Sequence, residues 1–183
     1  MKEQAQLERI KIPNVRLSFP NLFETSVFDG NDTGKYDATF LLNKETHKDI
    51  IKQIRAQFKT LAAGPKLQKK MPSPDRLCLK DGDETEREEQ QGHYTLKAST
   101  KKRPVVLNRD KTPVTEDDNL IYAGCYVNTI VTLWAQNNAY GKRINASLDG
   151  VQFCAHGEPF GAPAIDKDEF DVFGDEEDDE APF

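Results

Sequence analysis

The sequence predicts a mainly β fold: a small curled barrel with one principal helix and long polar loops. Three observations lead there. Residues 121–135 are rich in β-branched and aromatic side chains, and Cys125, Val127, Thr129, Val131 and Leu133 alternate with Tyr126, Asn128, Ile130, Thr132 and Trp134. That period of two marks a strand with one buried face. After a polar turn at 136–141, residues 142–153 return as its partner, with Ile144, Ala146 and Leu148 on one side and Arg143, Asn145 and Ser147 on the other. One segment alone carries strong helical spacing, at 46–63. Several twisted strands with a single helix bury their apolar faces by curling around one core.

Residues 1–9 are polar. Ile10, Ile12, Val15 and Leu17 are spaced for a strand interrupted by Pro13 and closed by Phe19, Pro20 and Asn21. Leu22, Phe23, Val27 and Phe28 lead into the turn signal DGNDTG at 29–34. Residues 35–42 read as the next strand, with Tyr36, Ala38 and Phe40 on one face. In the helix, Thr46 is expected as N-cap with Asp49 three residues on. Ile50, Ile54, Phe58 and Leu61, joined by Ile51, form the apolar stripe, and Gly64-Pro65 ends it. Lys48, Lys52, Arg55 and Lys59 occupy the opposite, solvated face.

A basic, proline-broken loop follows at 66–75. Residues 77–80 and 93–100 can pair around the insertion DGDETEREEQQG at 81–92, which has no apolar residue and is expected to stand exposed. Residues 105–107 form a short strand, 108–119 a polar loop, and Gly150 implies a bulge or bend in the last strand. The chain divides into a folded unit at 1–155, a Gly/Pro linker at 156–165 and an acidic tail at 166–183.

At 183 residues this is enough chain for one ordinary domain. No run approaches the roughly 20 apolar residues of a membrane helix, and the N-terminus has no apolar signal region, so the cytoplasm is the default location. Cys78, Cys125 and Cys154 are odd in number and form no Cys-x-x-Cys pair. That spacing implies reduced structural thiols and no zinc. His47, His93 and His156 stand in separate contexts, and no phosphate loop, nucleophile elbow or His-Glu-x-x-His is present. The residues indicate no enzyme, no cofactor and no catalytic residue.

The tail organises the charge. Residues 166–183 hold ten acids against Lys167, a net of −9, while the whole chain is −6. Residues 1–165 are therefore a mildly basic body of +3 carrying a negative arm. Such a density of like charge denies the arm a core and implies disorder. Asp175, Glu176, Glu177, Asp178, Asp179 and Glu180 precede Ala181-Pro182-Phe183. A terminal aromatic on an acidic leash suits a partner's pocket. As a coil the arm spans about 25 Å, enough to reach a basic groove on a body of about 15 Å radius of gyration.

A second constellation places bases beside aromatics on or next to strands: Arg16 before Phe19; Lys35 with Tyr36; Tyr94 before Lys97, Lys101, Lys102 and Arg103; Trp134 and Tyr140 before Lys142 and Arg143. Cations neutralise phosphates and aromatic faces stack on unpaired bases without choosing a sequence. These twelve residues (Phe19 apart) are the candidate nucleic-acid contacts. Phe40, Phe58 and Phe153 are assigned to the core.

The order RLSFPNLFE, KYDATFLLNK, GHYTLKASTKKRPVV, IYAGCYVNTIVTLWAQNN and GKRINASLDGVQF, followed by an acidic tail with a terminal aromatic, resembles the single-stranded DNA-binding replication proteins of tailed bacteriophages. The likeness covers about residues 16–160, with the tail as a second match. It implies an oligonucleotide/oligosaccharide-binding (OB) barrel over 1–155 that coats single strands in replication and recombination in the cytoplasm of an infected bacterium. It also implies a tail that competes with DNA and docks replication proteins such as a polymerase, while self-association along DNA stays open. By position, Arg143 and Lys101 to Arg103 belong to the basic, DNA-facing part. In that fold the helix usually lies between the third and fourth strands, whereas here it follows the second recognisable one, so a further strand near 23–28 or an elaborated barrel is expected. Duplex DNA and RNA stay open as further ligands. A DNA-mimicking interaction scaffold and, behind it, a metal-dependent nuclease are the alternatives.

Overall fold

The computed structural model describes residues 7–160. Its strands are β1 (Ile10–Asn21), β2 (Val27–Phe28), β3 (Asn31–Asp32), β4 (Tyr36–Asn43), β5 (Leu79–Asp81), β6 (His93–Thr100), β7 (Val105–Leu107), β8 (Tyr126–Asn138) and β9 (Gly141–Ala155). The helix α1 (Lys48–Ala63) lies between β4 and β5. The barrel runs β6-β4-β1-β8-β9 and closes where β6 meets β9 in parallel at Ser99 and Ser147, while β5 and β7 extend the sheet at its two ends. This is the predicted mainly β, OB-like barrel, and five strands close it.

Alternation decides what fills it. Ile10, Ile12, Val15 and Leu17 of β1, Phe40 and Leu42 of β4, Leu96 and Ala98 of β6, Val127, Val131 and Leu133 of β8, and Ile144, Ala146 and Leu148 of β9 form one buried cluster. Pro13 is tolerated inside β1 because the register slips between Ile12 and Val15. Asn14 there takes φ 51°, and its N–H donates to Asn128 Oδ1 at 2.9 Å. A bulge is where a strand accepts a residue that cannot donate. Gly150 marks the expected irregularity: Ile130 pairs with Gly150 and Val131 with Leu148, leaving Asp149 over.

Helix α1 buries Ile51, Ile54, Phe58, Leu61 and Ala62, close to the predicted stripe. Its N-cap is His47, not Thr46, and no side chain caps it. The turn is instead knitted by Asn43, whose Oδ1 accepts from the backbone N–H of Glu45 and Thr46. His47 Nδ1 accepts from Asn43 N–H while its Nε2 meets the Pro13 carbonyl. The loop after the helix is tied to the β8–β9 turn by Asn137, which donates to the Lys66 carbonyl at 2.9 Å.

Two further expectations change. A hairpin, β2–β3, does form near residues 23–28, turning on Asp29 and Gly30 at φ 52° and 77°. It stands outside the barrel, so α1 still precedes the third barrel strand. The strand expected from 121 begins at Tyr126, because Gly124 at φ 111° lies so close to the Glu158 carbonyl that a Cβ would overlap it. Residues 156–160, expected as linker, dock back there. Phe160 N–H donates to the Ala123 carbonyl at 3.0 Å, and the Tyr122 hydroxyl meets His156 and Gly157. The linker beyond 160 and the tail lie outside the described residues.

The acidic insertion is ordered. Lys44 Nζ bridges Asp81 and Asp83 at 2.6 Å each, Asp83 accepts from Gly92 N–H, and Thr85 donates to buried Gln90. A polar segment needs no apolar residue to be ordered when its backbone groups are answered by its own side chains.

Candidate nucleic-acid interface

The outward positions of three neighbouring strands form one surface. Thr39 of β4 is opposite Lys97 of β6, and Asp37 opposite Ser99. Ser99 meets Ser147 of β9, where Arg143, Asn145 and Ser147 share the outward parity. Across the β8–β9 hairpin Asn145 faces Trp134 and Arg143 faces Gln136. Register alone therefore places Lys97, Asn145 and Trp134 in one row.

A groove of about 490 Å³ follows this surface, lined among others by Phe19, Thr39, Arg76, Lys97, Arg143 and Asn145. A second cleft of about 480 Å³ shares Phe19, Thr39 and Lys97 and extends to Val27 and Phe28 on the β2–β3 hairpin. The two make a continuous channel from Phe28 at one end to Arg143 at the other. Phe19 stands at its middle, 47 % exposed, because a second β1 bulge puts it at φ 47°. The Arg87 guanidinium of the insertion lies 4.6 Å from its ring centroid. At the far end Arg76 packs against Gly141, the turn glycine between β8 and β9, where a side chain would collide with it. Asp75 beside it is held below the usual carboxylate range by a hydrogen bond from Ser73, with Arg76 and Arg143 adding to the effect.

The channel gathers some of the predicted contacts and not others. Lys97 and Arg143 line it. Trp134, 39 % exposed, and Tyr140, 80 % exposed at the β8–β9 turn, stand beside it. Tyr36 pairs with Thr100 on the parity of buried Ala38 and Phe40, so Lys35, Tyr36, Lys101 and Lys102 lie near one end of β4 and β6 and line neither cleft. Arg103 donates to the Phe23 carbonyl at 3.0 Å and so braces the base of that loop.

Three residues are elsewhere. Arg16 spends its guanidinium on the Gly124 and Glu158 carbonyls and lies over the Tyr126 and Phe160 rings. Tyr94 has the inward parity of β6; Arg55 donates to its hydroxyl at 2.7 Å, and Arg55 and Lys44 both lie over its ring. Lys142 points to Leu67 and Gln68 in the loop after α1.

The lining residues that escaped the sequence reading as contacts include Phe19, Phe28, Arg76, Lys80 and Asn145. Phe28 had a signal, an aromatic next to a hairpin turn. Arg76 had none, since its place depends on a contact 65 positions along the chain.

No group of three or more His, Cys, Asp or Glu among the described residues could hold a metal ion. Cys78 beneath the groove is pushed up to about 12 by burial, which keeps it a thiol. No helix of the described residues is long and apolar enough to cross a membrane. The arrangement offers cations for a phosphate backbone, flat rings for bases, and Ser, Thr and Asn between them.

Comparison with known proteins agrees with this chemistry. A family model described as the ssDNA-binding protein of Enterobacter phage Enc34 matches residues 8–181. Protein p50 of Acyrthosiphon pisum secondary endosymbiont phage 1 is 40 % identical over 172 residues, 89 % of this chain and 92 % of that protein. The single-stranded DNA-binding protein of bacteriophage Enc34, solved in complex with ssDNA, superposes with a TM-score of 0.77 at 35 % identity, covering 84 % of this chain and 89 % of that one. The single-stranded DNA-binding protein gp2.5 of bacteriophage T7 gives a TM-score of 0.58 at 10 % identity over 88 % of this chain and 99 % of that one, a likeness of fold alone.

Proposed function

Because this chain belongs to the phage single-stranded DNA-binding family typified by the Enc34 protein, we propose that it binds single-stranded DNA without sequence preference during phage replication and recombination. The observation that carries the reading is the continuous channel with Phe19 at its centre and Lys97 and Arg143 along it. Phosphates neutralised by Lys97 and Arg143 release counterions, so affinity falls steeply with salt. Bases stack on Phe19 and on Trp134 or Phe28 at the flanks, each for about 1–3 kcal/mol. Ser99, Asn145 and Ser147 between them hydrogen-bond to any base edge and so favour no sequence.

The acidic C-terminal segment competes with DNA in cis and docks replication proteins through Phe183. Its support is the charge division between body and tail, and tethering holds it at a millimolar effective concentration. A salt titration of oligo-dT binding by the full chain and by a chain lacking residues 166–183 tests both parts. The full chain binds oligo-dT with a negative log–log salt slope, and the shortened chain binds more tightly, most at low salt. No binding by either form overturns the reading; equal binding overturns the competition.

A further inference from the structure

The largest concentration of positive charge on the body is not in the channel. Residues 48–71 carry Lys48, Lys52, Arg55, Lys59, Lys66, Lys69 and Lys70 against Asp49 alone. All seven cations are exposed, and none takes part in a salt bridge among the described residues. Beside them opens a cavity of about 790 Å³ between α1, the loop at 71–77 and the acidic insertion. Its floor is apolar, from Phe58, Met71, Pro74, Leu77, Leu79 and Tyr94. Met71 is 46 % exposed there, and a polarizable, rotatable side chain suits a pocket that admits another group. Arg55, Lys59 and Lys80 stand at the lip, with Asp75, Asp81 and Glu84. Two of those acids are already answered, Asp81 by Lys44 and Asp75 by Ser73.

An apolar pocket with a cationic lip fits an aromatic side chain preceded by carboxylates. This chain holds such a segment beyond the described residues: six consecutive acids at 175–180, then Ala181, Pro182 and Phe183 at the end. From Phe160 the remaining 23 residues span up to about 75 Å when stretched, so reach is no obstacle. We propose that this cavity is the seat of the chain's own C-terminal segment, with Phe183 in the apolar floor and the acids along Lys52, Arg55 and Lys59. The proposal rests on the competition described above and gives it a location. Asp75, Leu77, Lys80 and Thr85 line both cavity and channel, so a segment anchored here lies along the channel's edge. A nucleobase would bury polar edges that this apolar floor leaves without partners, whereas a phenyl ring would not, which favours the tail over DNA as occupant.

Zero-length carbodiimide cross-linking of the full chain, read by mass spectrometry, tests it. Links from the carboxylates at 175–180 to Lys52, Lys59, Lys69 and Lys70 are expected. Phe183→Ala cuts them about tenfold, as loss of a buried aromatic requires, while Phe183→Leu retains most of them. Links confined to Lys97, Lys101 and Lys102 would place the tail in the channel and overturn the proposal. So would an undiminished pattern in Phe183→Ala, or links found only between differently isotope-labelled copies. An oligo-dT titration on the same preparation separates the two levels: absence of DNA binding refutes the functional reading, whereas DNA binding with misplaced links refutes only the seat.

Discussion

Two regions of this molecule are positively charged, and they are built on opposite plans. The channel face has few cations, Arg76, Lys80, Lys97 and Arg143, set on or against strands with Phe19 and polar side chains between them. The α1 flank has seven on one helix and its following loop, beside a cavity whose lining is mainly apolar. A count of charge points to the helix; the placement of rings and hydrogen-bonding groups points to the barrel wall. Recognition of an extended polyanion with stackable bases needs a fixed alternation of cation and ring, and a sheet supplies it through register. A helix supplies cations on long, mobile stems, which suit a flexible acidic peptide.

The sharpest way to break this contrast is to remove equal charge from each side. Lys97→Ala with Arg143→Ala should weaken oligo-dT binding by about a hundredfold at low salt, two charge-assisted contacts at about 1.5 kcal/mol each. In a chain lacking residues 166–183, where no tail is released, Lys52→Ala with Lys59→Ala should change it by no more than about threefold through the general field. Fluorescence anisotropy decides, and equal losses would mean that DNA follows net charge alone.

Next in size is the ring at the channel's centre. Phe19→Ala should cost about tenfold in oligo-dT affinity with little change in thermal midpoint, because Phe19 is half exposed and absent from the buried core. A large fall in midpoint would recast Phe19 as part of the fold. Trp134→Ala, at the edge of the same row, should cost less, and an effect exceeding that of Phe19→Ala would move the stacking centre to β8.

What the sequence disclosed follows from which interactions are local. The β8–β9 pair, the helix stripe and the closing glycine at 64 were legible because alternation, helical spacing and a stop signal lie within a few residues of one another. The candidate contacts were half legible. Lys97 and Arg143 alternate with core residues of their own strands, so their outward direction could be read. Tyr94 and Lys142 sit at strand ends, where the inward parity points out of the barrel toward α1 and its loop. Arg16 was drawn away by carbonyls at Gly124 and Glu158, far along the chain. Phe19 needed a bulge with positive φ, which local pattern does not announce. The order of the insertion was not legible because it comes from side chains answering backbone, and hydropathy is blind to that.

That insertion also divides the two regions, since Thr85 lines both the channel and the cavity, and its tether gives the smallest and most specific effect. Hydrogen bonding from Lys44 is the main cause holding the Asp81 and Asp83 carboxyls below the usual range, and the same contacts raise Lys44. A carboxylate with a depressed folded pKa contributes stability above its unfolded value and loses it as pH falls through the folded one. Lys44, with a raised value, contributes below its unfolded pKa and loses that contribution only as pH climbs through the folded one in strong alkali. Between neutrality and pH 5 the tether is therefore complete, and it fails in acid below the ordinary carboxylate range. Hydrogen exchange of residues 81–92 should be faster in Lys44→Ala than in the wild type at pH 6, and the difference should shrink as the wild type is acidified. These groups are partly or fully exposed to solvent, so the change in global thermal midpoint stays small. With the wall loosened, Arg87 should hold the Phe19 ring less firmly, and Lys44→Ala should show a modest loss of oligo-dT affinity, at most about threefold, with no change in salt slope because no phosphate contact is removed. A change in slope would place Lys44 itself on the DNA.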